Sequence, residues 1–370
     1  MSSVVDFSGI RGDQNGGLGC PGLVSIIVPC RNEIGFVERS ISSLLRQKTD
    51  GLRMELLVAD GLSDDGTRGV LDAIASSDDR LRVIDNSERT TPAALALLLE
   101  ESSGEFLVRA DAHSEYPDDY VFTLVEFLRQ EGADNVGGVW DTQPGAETLQ
   151  ARAIAAALTS RFGVGVSYRN RRGDRPIEAE TVPFGAWRRA HFDRFGPFDP
   201  WFVRAQDLEH NIRVRRMGGR IVCLPWLKIR YFARRSLGKL GRMAFDYGYW
   251  KIPVRAKHPV RFSVRQFMPP ALVAVVTVCL FASIWYPPAA LPVLSYLFAV
   301  VGAAVLAGIE HRSMLIVPYC TLALVLMHFG YGVGYFCGLI DVHLRHRFAF
   351  EGENPVGVGP EGKTKTSRRT

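Results

Sequence analysis

The sequence predicts an α/β domain built on a mostly parallel sheet, followed by a region of membrane-spanning helices. Short apolar runs stop at polar or acidic residues and alternate with helix-patterned segments, which is the signature of repeated strand–helix units. Strands that end this way belong to open sheets whose ligand sits at the carboxyl ends of the strands. Towards the C-terminus, Phe267–Ile309 and Met314–Ile340 run without one Asp, Glu, Lys or Arg.

Residues 1–22 are Gly-rich and lack an apolar signal region, so a flexible leader and no secretory peptide are expected. A first strand runs from Val24 to Pro29, and a polar turn leads into a helix over Phe36–Gln47. A second strand, Glu55–Ala59, ends at Asp60, and Asp64-Asp65-Gly66-Thr67 reads as a helix-capping turn. Leu81–Ile84 is a strand, and Thr91–Glu101 a helix with Pro92 in its first turn. The strand Glu105–Ala110 ends at Asp111-Ala112-His113. Pro117-Asp118-Asp119 opens the helix Tyr120–Glu131, followed by the strand Asn135–Trp140 and the Ala-rich helix Ala146–Ser160. Val164–Ala179, rich in Gly and Arg, reads as a mobile loop. The turn Gly196–Asp199 precedes a helix that begins at Gln206-Asp207 and ends near Gly218-Gly219, and Ile221–Leu224 is the final strand. The α/β domain is thus expected over 23–227, a basic interfacial segment over 228–266, membrane helices over 267–345 and a flexible tail over 346–370.

A helix needs about 20 apolar residues to cross a bilayer. The first uncharged stretch holds two spans with a break at Pro287-Pro288, and the second holds another. Soluble helices are seldom apolar on every face for so long. The net charge of +5 hides an asymmetry: Lys228–Arg265 carries eleven Lys and Arg against one acid, Asp246. Directly before a span, such a segment reads as cytoplasmic and lies against anionic headgroups, at about 1 kcal/mol per basic residue. The adjoining spans argue against nucleic acid as the partner of this patch. Three spans would place Arg345 and Arg347 on the far side, whereas re-entry at the Gly-rich run Gly330–Gly338 would return the tail to the near side. The six cysteines form no C-x-x-C pair and indicate neither a disulfide framework nor a zinc site, and a reduced compartment suits the α/β part.

The run Val24–Glu33 and the acidic strand ends after it resemble the start of a family 2 glycosyltransferase, an inverting sugar transferase of the GT-A fold. Pro29, Arg31 and Glu33 match the family's Pro-x-x-Asn-Glu turn, which holds the nucleoside. Asp60 matches the first acid of the segment that contacts uracil or ribose, and Gly61 stands where the family has a second acid. Asp111-Ala112-His113 stands at the family's Asp-x-Asp. The resemblance therefore implies Asp111 as a ligand of a divalent metal (Mg²⁺ or Mn²⁺), with His113 as the second ligand or as a phosphate contact. Gln206-Asp207 resembles the family's Glu-Asp pair, whose Asp is the catalytic base, and Phe184–Arg189, Gly196–Asp199 and Asn211 extend the match. Phe184, Trp187, Trp201 and Gln206 are expected on the acceptor side, with core packing the alternative for Phe184 and Trp201. Arg234, Arg235, Tyr247, Trp250 and Lys251 form a basic-aromatic stretch expected to lie at the membrane interface and to contact a lipid diphosphate.

The combined motifs look most like membrane-tailed enzymes that build bacterial exopolysaccharides such as succinoglycan. That resemblance implies transfer of a hexose, with glucose favoured, from a UDP-sugar to a polyprenyl-diphosphate-linked saccharide at the cytoplasmic face of the inner (plasma) membrane. Two alternatives stay open: a lipid monophosphate as acceptor, and a non-catalytic membrane scaffold, against which the intact Asp60, Asp111 and Asp207 argue.

Overall fold

A computed structural model describes residues 19–130, 132–163, 173–260 and 263–345. Most of the expected leader and tail, Arg347, Glu131 and residues 164–172 of the expected loop lie outside the described residues.

The first half alternates β1 (Cys20–Cys30), α1 (Val37–Leu45), β2 (Arg53–Asp60), α2 (Thr67–Ala75), β3 (Leu81–Asp85), α3 (Thr91–Glu101) and β4 (Gly104–Arg109). The short β5 (Ser114–Glu115), α4 (Tyr120–Gln130), β6 (Asn135–Gln143) and α5 (Leu149–Thr159) follow. Then come β7 (Ile177–Glu178), β8 (Ala186–Arg188), α6 (Ala190–Phe195), α7 (Gln206–Arg216) and β9 (Ile221–Phe232). Four long helices close the described chain: α8 (Leu237–Lys257), α9 (Val264–Ala282), α10 (Leu291–Glu310) and α11 (Val317–His343).

The strands form one sheet in the order β3-β2-β1-β4-β8-β6-β9-β5, with β7 also on β9. The neighbours among β1 to β4 are parallel, as are β6 and β9, while β8, β5 and β7 run against their partners. Apolar residues fill β1 without a polar alternation because both faces of the sheet are covered. Val24, Ile26 and Val28 enter one core, and Ile27 joins Leu57 and Leu107 in another.

The last strand is longer than expected, running to Phe232 instead of Leu224. Beyond Pro225 the side chains alternate: Leu227, Ile229 and Tyr231 are buried, while Trp226, Lys228 and Arg230 face out. Lys228 and Arg230 therefore occupy the outer face of a strand, although in sequence they open the basic run. The register with β6 shifts between Gly137 and Val139. There a Cβ on Gly138 would stand 2.2 Å from the Leu227 carbonyl, so the shift requires glycine.

The expected break at Pro287-Pro288 is a 3₁₀ turn between α9 and α10. The segments Val264–Ala282, Pro287–Glu310 and Met314–His343 are each long and apolar enough to cross a membrane. Helices α8 and α11 lie against each other through glycines. A Cβ at Gly248 would stand 1.9 Å from the Tyr331 carbonyl oxygen, and one at Gly334 would stand 2.1 Å from that of Phe245. Overpacking costs about 1–3 kcal/mol in a core that can adjust, and here the obstacle is backbone. Gly334→Val is expected to lower the thermal midpoint of the detergent-solubilised protein by several degrees. Gly302→Ala, which meets nothing within 4 Å, is expected to leave it unchanged.

Candidate active site

The carboxyl ends of β1, β2 and β4 converge on one side of the sheet. Past β1, Asn32 adopts a left-handed conformation (φ 56°). Its side chain exchanges hydrogen bonds with Asp64, Nδ2 donating to the carboxylate (2.9 Å) and Oδ1 accepting from the Asp64 amide (3.0 Å). The Glu33 amide donates to Thr67 Oγ1 (2.8 Å) and the Ile34 amide to the Asp65 carboxylate (3.2 Å). Asp65 also accepts from the Thr67 amide (3.0 Å). The segment read as a helix cap thus caps α2 and also clamps the turn that carries Arg31 and Glu33.

Asp111 follows β4, and its carboxylate accepts from Arg109 (3.2 Å), which also bonds Asp207 at the start of α7. The Arg109 side chain is only 5% exposed. Burial works against its charge, but Asp207 and Asp111 outweigh it and its pKa rises. Nδ1 of His113 is 3.3 Å from the Glu33 carboxylate, which ties the β1 turn to the strand end of β4. Asp207 sits in the first turn of α7, where the helix N-terminus favours its negative form. The preceding Ala205 is left-handed (φ 62°), an uncommon conformation for a residue with a Cβ, and it turns the chain sharply into that helix. The Asp207 side chain is 33% exposed. Desolvation within the cleft raises its pKa, Arg109 opposes this, and Asp111 adds to the rise.

A chamber of about 1310 Å³ opens over these residues. Pro29, Arg31, Glu33, Asp111, His113, Phe184, Gln206 and Asp207 all line it, so the structure brings most of the expected site together. The same chamber continues past Tyr231 and Arg234 to α8, α9 and α11. Such a volume exceeds the ~300–1,000 Å³ usual for one small ligand.

Two expected residues are not on its wall. Asp60 is 1% exposed, and its carboxylate accepts from the Ser63 amide (3.1 Å) and hydroxyl (2.5 Å), leaving Gly61, Asn86 and Arg89 to form the wall there. Trp187 is a correction. At 1% exposed, its ring packs edge-on to Phe192 and Phe198 in the core, because the short β8 places it on the buried face against Leu107. Trp201, by contrast, is 65% exposed. Arg109, Trp140 and Tyr231 were not singled out from sequence. Trp140 and Tyr231 stack at 4.3 Å on the chamber wall. The signal for Arg109 was present: two residues before Asp111 on a strand, it shares that residue's side of the sheet.

Helix α7 is braced behind the site. Glu209 is fully buried and accepts from His258 (2.8 Å), Lys257 (3.0 Å) and Arg213 (3.1 Å). Burial alone would raise its pKa, but these three partners hold it well below the usual carboxylate range. Nearby, Arg213 donates to His210 Nδ1 (3.1 Å), so the His210 proton is on Nε2, 2.8 Å from Nε2 of His191. Burial, then Arg213, lowers the pKa of His191 to about 3 and drives that of His210 well below its ordinary value. Both are neutral in the folded protein, whereas the unfolded chain takes up protons near pH 6.5. Stability is therefore expected to fall as pH drops from about 6.5 towards 3, by about 1.4 kcal/mol per pH unit for each histidine. Urea midpoints at pH 7.5 and 5.0 measure this, and His191→Phe is expected to flatten the slope.

Residues 25–196 match the description Glycosyl transferase family 2. The chain is 32% identical over 326 residues to the succinoglycan biosynthesis protein ExoA of Rhizobium meliloti, covering 86% of this chain and 96% of that protein. The chain belongs to glycosyltransferase family 2. This glycosyltransferase is also 21% identical over 233 residues to a dolichyl N-acetyl-α-D-glucosaminyl phosphate 3-β-D-2,3-diacetamido-2,3-dideoxy-β-D-glucuronosyltransferase of Methanococcus voltae, spanning 61% of this chain and 71% of that one. Its fold is that of the mannosyltransferase PcManGT of Pyrobaculum calidifontis, solved with GDP-Man and Mn²⁺. The TM-score is 0.52 at 22% identity, covering 86% of this chain and 87% of that one. The GT-A assignment thus holds for the α/β domain, and the family makes the protein an enzyme of glycan synthesis.

Proposed function

We propose that this glycosyltransferase moves a hexose, glucose in preference, from a UDP-sugar to a saccharide carried on a polyprenyl diphosphate at the inner face of the plasma membrane. The observation that carries this reading is the single chamber joining the strand ends to the helices of the membrane region. A soluble acceptor has no need of such a passage.

In this reading the clamped turn holds the nucleoside, with Pro29, Arg31 and Glu33 on the wall and Asp60 bracing the loop beside it. Asp111 and His113 offer a carboxylate and an imidazole to a divalent cation, a donor set that suits Mn²⁺ better than Mg²⁺. Among the described residues no group of three His, Cys, Asp or Glu side chains could hold an ion by itself. Two protein donors fit an ion whose remaining ligands come from the substrate diphosphate and water. When bound, that ion neutralises charge on the diphosphate leaving group. Asp207 takes the proton of the acceptor hydroxyl as it attacks the anomeric carbon, and single displacement inverts the configuration. Arg109 holds the Asp207 carboxylate ionised and aimed, while Phe184 and Gln206 flank the attacking sugar.

Calorimetric titration of the detergent-solubilised protein with UDP and GDP, each with Mn²⁺, Mg²⁺ or EDTA, tests the donor end. Metal-dependent binding of UDP is expected, weakened at least tenfold by Asp111→Asn. Preference for GDP would overturn the donor, and binding of neither nucleotide would sink the transferase reading.

A further inference from the structure

We infer that the membrane-side end of the chamber is a phosphate-binding subsite for the anionic head of a prenyl lipid, built from Lys251, Arg265, Gln266 and Tyr331. The inference rests on the lipid-linked acceptor of the proposed function and gives that acceptor a place. Three helices meet there. The Tyr331 carbonyl abuts Gly248 of α8, and the Pro269 carbonyl of α9 stands 2.7 Å from a Cβ position on Gly332. Lys251 lies three residues beyond Gly248, Gln266 lies three before Pro269, and all four residues line the chamber. Arg255 of α8 stacks over Phe267 of α9, which closes the third side of this junction.

The lining residues that α8, α9 and α11 contribute include Lys251 and Arg265 and no acid. A recess lined by one sign of charge concentrates the opposite sign, so its occupant is an anion. The Tyr331 hydroxyl and Gln266 Oε1 are buried and without a hydrogen-bond partner among the described residues. A phenol donates readily to a phosphate oxygen, and half a turn of the amide presents its NH₂ there instead. Arg265 and Gln266 open the first apolar helix, the depth at which a lipid phosphate lies.

Binding of farnesyl diphosphate to the full chain in detergent tests the subsite, with inorganic diphosphate and UDP–Mn²⁺ as the other arms. Farnesyl diphosphate is expected to bind the wild type at least tenfold more tightly than inorganic diphosphate. Lys251→Gln with Arg265→Gln is expected to weaken it at least tenfold, and Tyr331→Phe severalfold, with UDP–Mn²⁺ affinity unchanged. Equal binding of the farnesyl and inorganic compounds would overturn the lipid assignment, and unchanged binding in the double variant would overturn the residues. A parallel loss of UDP affinity would overturn a separate subsite. Failure of the transferase reading itself would appear instead as absent nucleotide binding by the wild type.

The packing of α11 carries a second inference independently: we propose that α11 lies in the membrane interface, so that the chain crosses the bilayer twice and returns Arg345 to the side of the α/β domain. Helices α8 and α11 run parallel in constant register. Cβ positions on Gly330, Gly334 and Gly338 meet the carbonyls of Gly241, Phe245 and Tyr249, four residues along one helix for four along the other. Helix α8 carries Lys239, Arg242, Asp246, Lys251, Arg255 and Lys257 and has no place across hydrocarbon. The half of α11 beside it therefore lies outside the hydrocarbon core. Cys320, Ala323, Leu324 and Met327 in the other half share one cluster with Ala153, Ile154 and Ala157 of α5 and with Val300, Ala303 and Ala307 near the end of α10. No free length of about 20 residues remains to cross the membrane. The outward residues Leu322, Val333, Phe336 and Ile340 are exposed and continue the apolar surface of α9 and α10. Those two helices form the membrane hairpin, with Trp285 and Tyr286 exposed at its turn, as suits the far interface.

Tags at each end of the full chain, read by protease cleavage in sealed vesicles of both orientations, test this course. Both tags are expected to be cut in inside-out vesicles and both protected in right-side-out ones. Cleavage of the two tags in opposite orientations would overturn it.

Discussion

Asp207→Asn is expected to lower the rate of sugar transfer by about 10²–10⁴-fold, the range lost with a general base, while nucleotide affinity stays within a few-fold of wild type. The amide keeps the shape of the carboxylate and removes its ability to take a proton. Arg109 loses one of its two carboxylate partners and keeps Asp111 at 3.2 Å, so the metal-side geometry is retained. The measurement is kcat at saturating donor and acceptor, set beside calorimetric nucleotide binding. Retention of more than a tenth of the wild-type rate would remove Asp207 from the role of base.

Glu209→Ala is expected to have the largest effect on stability of any single substitution in α7. The carboxylate is fully buried, pairs with Lys257 and Arg213 and accepts a hydrogen bond from His258. Breaking a buried ion pair on one side costs about 3–5 kcal/mol, because the other charges are left uncompensated. That corresponds to a fall of roughly 10 °C or more in the thermal midpoint for a domain of this size. Lys257 also bonds Asp199, so the cluster joins α7 to the turn before it and to the end of α8. Glu209→Gln keeps two acceptor contacts and is expected to lose less. Differential scanning fluorimetry in detergent distinguishes the two variants, and equal midpoints for wild type and Glu209→Ala would show the cluster to be dispensable.

Much of the site was legible in the sequence because it sits where strands stop. The ends of β1, β2 and β4 put Glu33, Asp60 and Asp111 on one edge of the sheet, and the start of the helix at Gln206 puts Asp207 there. Residues whose role depends on facing were harder to read. Trp187, on the three-residue β8, and Phe184, in the left-handed turn before it, are both buried among core residues, and nothing in the local sequence fixes that facing. Asp60 reached the correct loop, yet its carboxylate is taken by Ser63 three residues on. Arg109 ends an otherwise apolar strand, and only the approach of α7, which begins almost a hundred residues later, gives it a second carboxylate to hold. The membrane region follows the same division. Composition marks three apolar helices, but the course of α11 depends on its partner α8, and that pairing is written only in the spacing of Gly330, Gly334 and Gly338.

The central claim is tested most directly by offering radiolabelled UDP-glucose to inside-out membrane vesicles that contain the protein and a polyprenyl-diphosphate-linked saccharide. Label is expected in the organic-solvent extract as a lengthened lipid-linked saccharide, abolished by EDTA, restored by Mn²⁺ and absent with Asp207→Asn. Label recovered as a single sugar on a lipid monophosphate, or no lipid-bound label with a competent acceptor present, would contradict it.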